Sequence, residues 1–219
     1  MLKAFDNIKV QLSGELPGQV AQMKMAPVVR IPLNINTQMQ KAAVLILLYP
    51  CDGSLYTLLI KRTEYEGPHS GQISLPGGKF ETQDLDLAST SLRETAEETG
   101  INASKINIIG RLTTLEIPVS NFEVHPFVGC TNKKPGFSPD PAEVEYLIEA
   151  DLNELVNPDI RKTKVMNIGG YAVELPFYDY NGNHIWGATA MMLSEFLEVF
   201  RMAVIKKKTR QKPGSDNLL

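Results

Sequence analysis

Apolar residues along the chain change period from two to about three and a half, and the changes mark out its elements. Residues 41–49 and 55–62 are near-continuous apolar runs of strand length separated by Pro50-Cys51-Asp52-Gly53, a turn signal, so the pair predicts an antiparallel hairpin. Residues 106–115 read as a further strand. Residues 122–130 read as another, with Phe122, Val124, Pro126 and Val128 alternating against Glu123, His125 and Phe127. Residues 144–148 form a short strand candidate. Helical spacing returns at 189–206, where Met191, Met192, Leu193, Phe196, Val199, Phe200 and Ala203 make an apolar stripe. Near the N-terminus Leu2, Phe5, Leu12 and Leu16 allow a helix that Pro17-Gly18 breaks. Strands flanked by good helices predict an α/β fold.

A second helix has its limits written into the sequence. Asp86 is a good N-cap, and Gly100 can take the left-handed conformation that ends a helix. Leu85, Ala88, Leu92, Ala96 and Thr99 recur at three- and four-residue steps and are expected to pack, which leaves Glu94, Glu97 and Glu98 converging on another face. That convergence is locally unfavourable. Glu94 and Glu98 are a like-charge pair one turn apart, and all three acids sit at the negative end of the helix dipole, each at a cost of roughly 0.3–1 kcal/mol when exposed. A stretch that breaks a local rule points to a functional site, here one where a cation compensates. Magnesium suits it, because it takes hard carboxylate oxygens and keeps waters that can become nucleophiles. Ahead of the helix stand Pro76-Gly77-Gly78, where the missing side chains let backbone approach an ion or phosphate closely.

From Gly78 to Ile101 the chain resembles the Nudix hydrolase family. The family box G-x5-E-x7-R-E-U-x-E-E-x-G-U is matched by Arg93, Glu94, Glu97, Glu98 and Gly100, with one extra residue ahead of Arg93 and Asp84 in place of the first glutamate. The longer loop is similar to that of the coenzyme A diphosphatase subgroup. Upstream, Leu58-Leu59-Ile60-Lys61-Arg62-Thr63 and His69-Ser70-Gly71-Gln72-Ile73-Ser74-Leu75-Pro76 follow the subgroup's spacing, with Ile60 for threonine, Leu75 for phenylalanine and Gly67 where a basic residue is common. Residues 185–190 resemble the segment that opens the subgroup's last helix.

The resemblance implies an α/β/α sandwich around a mixed sheet, and hydrolysis of a diphosphate with Mg2+, for which Mn2+ substitutes. It implies Glu94 and Glu98 as metal ligands, the Gly78 carbonyl as a further one, Glu97 as a third ligand or the general base, and Arg93 orienting a glutamate. In the family a base often comes from a later loop, so Glu143 or Glu145, after Ser138-Pro139-Asp140-Pro141, is a second candidate, with Glu143 the one taken. Arg62, His69, Gly71 and Gln72 would face the substrate. The implied substrate is coenzyme A; alternatives are another nucleoside diphosphate derivative such as ADP-ribose or a nucleotide sugar, and a catalytically silent metabolite-binding regulator. The intact acidic box counts against the last.

Composition limits the remaining possibilities. With 219 residues and 43% hydrophobic content the chain can bury the core of one domain, here 41–205, behind an N-terminal arm at 1–40. The longest apolar run, 42–49, is too short to cross a bilayer. Two cysteines make no disulfide framework, so free thiols and a cytoplasmic location are expected. A net charge of −3 argues against a broad nucleic-acid surface, and the basic cluster within 206–219 reads as a solvated tail. The expected partner is thus a small-molecule substrate, with no nucleic acid or membrane and with a homodimer admitted. His125 and His184 lack partners at metal-ligand spacing, so no zinc site is expected.

Overall fold

A computed structural model describes residues 2–27, 39–64, 70–168 and 171–209. In chain order these form α1 (Leu2–Leu12), α2 (Gly18–Gln22), β1 (Gln40–Cys51), β2 (Ser54–Arg62), β3 (Ile73–Ser74), β4 (Gly77–Lys79), α3 (Leu87–Thr99), β5 (Asn107–Arg111), β6 (Leu115–Ile117), β7 (Phe122–Cys130), β8 (Val144–Asp151), α4 (Leu152–Leu155), β9 (Arg161–Ile168), β10 (Tyr171–Tyr180), β11 (Asn183–Trp186) and α5 (Gly187–Thr209). Eight strands, β1 to β8, make one mixed sheet, and β9–β11 make a separate antiparallel one. No described helix is long and apolar enough to cross a membrane.

The hairpin expected from the sequence forms, with Leu48 opposite Thr57 and Cys51 opposite Ser54 across a tight Asp52-Gly53 turn. Away from the turn β1 and β2 splay, and the chain returns between them. Ile73-Ser74 pairs with Lys61-Ile60 of β2, while Gly77–Lys79 pairs with Val44–Ala42 of β1. On its far edge β1 runs parallel to β7. The Gly77-Gly78 strand is thereby wedged into the centre of the sheet.

Alternation along β1 feeds two cores. Leu45, Leu47 and Tyr49 join Leu58, Ile101 and Ile106, with Leu92 packed against them on the α3 side. Ala42, Ile46 and Leu48 face the other way, toward Phe5, Ile8 and Leu12 of α1 and Phe196, Leu197 and Phe200 of α5. Helices therefore cover both faces, which is the α/β/α sandwich. Full burial of such side chains contributes about 1.5–3 kcal/mol each before conformational entropy is set against it.

Several expectations need correction. The single strand at 106–115 is divided: β5 and β6 both pair with β7, but a bulge falls between Ile108 and Gly110, and the Thr113 N–H leaves the ladder to donate to the buried Glu195 carboxylate at 3.1 Å. The β9–β11 sheet lies outside the expected strands: β9 mixes Lys162 and Lys164 with Val165 and Met166 and has no buried face among the described residues, whereas β10 alternates, with Val173, Leu175 and Phe177 buried. Leu85 does not pack; it is 95% exposed, ahead of the cap residue Asp86. The helix continues to Thr209, so Lys206–Lys208 belong to α5, and 210–219 lie outside the described residues.

Candidate functional site

Helix α3 starts and stops where its sequence says it should. Asp86 Oδ1 accepts from the Ser89 N–H at 2.7 Å, and Gly100 closes the helix with φ 72°, its N–H donating to Ala96 O. A side chain at Gly100 would strike the Ser138 backbone, because the 138–140 loop docks there through Ser138 N–H to Thr99 O at 2.9 Å and Asp140 N–H to Glu98 O at 3.2 Å.

The expected packing face of α3 holds for Leu92, which packs on the Leu45 cluster, and for Thr99, but the burial extends to residues the periodicity left outside. Ser91, Thr95, Glu98 and Thr99 are buried, and the three hydroxyls donate back to the carbonyls of Ala88, Ser91 and Thr95. Small side chains that satisfy their own polar groups let the helix lie close against the sheet. Glu98 is carried inward with them, to 1% exposure.

Two groups receive the Glu98 carboxylate. The Gly77 N–H donates to Oε2 at 2.9 Å and Arg62 Nη1 donates to Oε1 at 3.0 Å. Burial pushes its carboxyl up to about 7; Glu94 and Glu143 add to the rise, and the Gly77 N–H and Arg62 oppose it. Glu94 lies against Gly78, where a Cβ would come within 2.4 Å of its carboxyl carbon, so only glycine fits. Burial raises the Glu94 carboxyl too, and Glu97 and Glu143 contribute to it against the pull of Arg93. Glu94, Glu98 and Glu143 thus share one electrostatic neighbourhood.

Glu143 reaches it by backbone contacts. Its carbonyl accepts from the Thr63 N–H at 3.1 Å, and Arg62 pairs with Val144 just past a register shift at Lys61/Arg62.

Arg93 is held from its other side by Asp84. Nε and Nη2 donate to the two Asp84 oxygens at 2.8 and 3.0 Å, leaving Nη1 for Glu94 at 3.0 Å and Glu97 at 2.9 Å. Those hydrogen bonds hold the Asp84 carboxyl well below the usual carboxylate range. The sequence marked Asp84 only as the acidic residue of the loop; its link to Arg93 depends on the loop folding back, which spacing alone does not encode.

Of the three glutamates, Glu94 and Glu97 meet at Arg93 Nη1, and Glu98 is buried apart from that nitrogen on Arg62. Glu97 is 58% exposed and turned to Arg93, and among the described residues no three His, Cys, Asp or Glu side chains surround a common point. Glu94, Glu98 and the Gly78 backbone offer hard oxygens, each carboxylate already meeting one arginine, a donor set that fits magnesium or manganese rather than a soft metal. His125 bonds Glu123 at 2.6 Å, and His184 packs on Phe177.

Of the residues expected to face the substrate, Arg62 is engaged with Glu98. Gly71 O accepts from Lys61 Nζ at 2.5 Å, and Gln72 O accepts from the Arg62 N–H at 3.0 Å. His69 and Gly67 lie outside the described residues.

The NUDIX domain family matches residues 39–168, more than half of the chain, and the chain belongs to it. It is 33% identical over 84% of its length to "Nudix hydrolase 15, mitochondrial" and 35% identical over 78% to "Nudix hydrolase 22, chloroplastic", both of Arabidopsis thaliana. It spans 66% and 57% of those two proteins. A Yersinia enterocolitica protein, "Uncharacterized Nudix hydrolase NudL", is 33% identical over 74% of this chain and 82% of its own.

Proposed function

We infer that the protein is a divalent-metal-dependent hydrolase of the diphosphate bond in coenzyme A or its derivatives, giving 4′-phosphopantetheine and 3′,5′-ADP. The observation that carries the hydrolase reading is the buried Glu98 carboxylate, flanked by Glu94 and Glu143 and met, among the described residues, by Arg62 and the Gly77 N–H. The coenzyme A assignment rests on the lengthened box and on Arg62, Gly71 and Gln72 at the subgroup's spacing.

Glu94, Glu98 and the Gly78 carbonyl would hold Mg2+ or Mn2+, which when bound supplies a Lewis acid and a more acidic water. The chain's own residues do the rest. Arg93, anchored on Asp84, fixes the Glu94 carboxylate against Gly78. Arg62 favours the ionised form of the Glu98 carboxylate against its burial. Glu143 accepts the proton of the attacking water, whose oxygen forms the new bond to phosphorus as the bridging P–O bond breaks. Exposed and paired with Arg93, Glu97 serves as the outer partner of that set. Cys51 and Cys130 are free thiols, which favours a cytoplasmic protein.

The test is kcat/KM for coenzyme A, dephospho-coenzyme A and ADP-ribose with products identified by mass spectrometry, on wild type and Arg62→Ala. Coenzyme A is expected to lead, and Arg62→Ala to lower turnover on all three alike, because the guanidinium serves Glu98. A preference for ADP-ribose would remove the coenzyme A assignment and leave the hydrolase reading in place.

A further inference from the structure

The chain's one tryptophan lies in a cleft that, among the described residues, shares only Gly71 and Gln72 with the site assigned above. The cleft holds about 250 Å³ between the ends of β2, β3 and β8 and the β10–β11 turn, and Lys61, Gln72, Tyr146, Asn183, His184 and Trp186 line it. Its wall is fixed by a bond from Tyr146 Oη to Asn183 Oδ1 at 2.9 Å, which ties β8 to the turn.

Three features define what would occupy it. Trp186, Tyr146 and His184 offer aromatic planes, Gln72 and Asn183 offer amides, and Lys61 offers an ammonium that spends one of its N–H groups on Gly71 O. Among the described residues the lining itself carries no carboxylate, in contrast to the acidic α3 site; Glu64 approaches Gly71 at its margin, and Lys61 is the cation that would meet an anion there. At about 250 Å³ the cleft is smaller than sites that enclose a drug-sized molecule, so it fits one ring system with its sugar and not a whole dinucleotide-sized ligand.

The cleft adjoins the catalytic residues through the backbone. Lys61 precedes Arg62, and the Arg62 N–H donates to Gln72 O, while the Arg62 side chain reaches Glu98. Lys61 pairs across the sheet with both Ile73 and Tyr146, so all three project on the face opposite Arg62. The Arg62 N–H bond to Gln72 O is thus the point at which the cleft and the Glu98 site meet.

We propose that this cleft is the nucleoside subsite: Trp186 and Tyr146 stack the nucleobase, the amides meet its edge, and Lys61 receives a phosphate of the same nucleotide. The assignment rests on the hydrolase reading for the source of the ligand, but its test does not need turnover. Trp186 is the sole source of indole emission, so quenching reports on this cleft alone.

In EDTA, where no hydrolysis is expected, adenosine 3′,5′-bisphosphate should quench Trp186 saturably, whereas 4′-phosphopantetheine and inorganic phosphate should not. Lys61→Met and Trp186→Ala should each weaken binding of the bisphosphate about tenfold by equilibrium dialysis, in the range found when a base-stacking side chain is removed. Trp186→Phe, which keeps a ring and guards against a folding defect in the alanine variant, should bind within a few-fold of wild type. Quenching by 4′-phosphopantetheine instead, or unchanged emission with dialysis affinities unaffected by Lys61→Met, would overturn the subsite. Nucleotide quenching in a protein that hydrolyses no diphosphate would sink the hydrolase reading and keep this one; hydrolysis without quenching would do the reverse.

Discussion

Arg62 Nη1 lies 3.0 Å from Glu98 Oε1, joining a strand end to a helix thirty-six residues later. Glu98 is almost wholly buried and Arg62 only partly so, which places the carboxylate under a lid of one guanidinium. Removing either partner of such a buried pair leaves an uncompensated charge or donor. The pair therefore links stability and chemistry at one position.

Glu98→Gln should abolish nearly all turnover, because the amide keeps the shape but removes a hard anionic ligand. Wild-type activity should vanish in EDTA and return with Mg2+ or Mn2+, while circular dichroism of the variant stays native. A Glu98→Gln protein with ordinary turnover would defeat the metal assignment.

Metal-free protein should lose stability as pH rises from about 4.5 to about 7. The Glu98 carboxyl gives up its proton near 4.5 in the unfolded chain and near 7 in the folded one. Between those values the folded state holds the extra proton, so the contribution is complete below 4.5 and lost above 7. Urea unfolding at several pH values should show this decline in wild type and a smaller one in Glu98→Gln; parallel curves for the two proteins would contradict it.

Glu143→Gln should lower turnover by the ~10²–10⁴-fold that follows loss of a general base, with magnesium affinity changed less. Glu97→Gln should do less harm to turnover, since its carboxylate is exposed and tied to Arg93. Magnesium titrations of kcat separate the two effects. A larger turnover defect in Glu97→Gln would exchange their roles.

Asp84→Asn should lower activity ~10–100-fold through Arg93, as loss of a residue that orients a ligand does. The forked donor pair would lose its anionic partner and Glu94 its fixed neighbour. Reduced apparent affinity for Mg2+ with unchanged KM for the organic substrate is the expected signature, and an effect on KM alone would speak against positioning.

Glu195→Ala should destabilise the fold by about 3 kcal/mol or more, since burial strands donors at roughly 1–3 kcal/mol each. The fully buried carboxylate accepts from the Gly18 and Thr113 N–H groups, Gln22 Nε2 and Thr113 Oγ1, tying α2 and the break between β5 and β6 to α5. Urea unfolding measures it; a change under 1 kcal/mol would show the network to be dispensable.

Local chemistry determined much of this protein by itself. Asp86 and Gly100 fixed the ends of α3 because capping is decided within a few residues, and the Asp52-Gly53 turn between apolar runs specified the β1–β2 hairpin for the same reason. Membership of the family was likewise legible in the order of glycines, arginine and glutamates. Tertiary structure decided which of those groups meet. Periodicity put Leu85 inward and Glu98 outward, and the reverse holds because Ser91 and Thr95 satisfy their own hydroxyls and bring α3 down on the Gly77-Gly78 strand. Arg62 on Glu98, Asp84 on Arg93, Glu143 beside both acids and the Trp186 cleft all join elements distant in the chain. Such contacts follow from the splay of two strands and the docking of a second sheet, which no window of sequence contains.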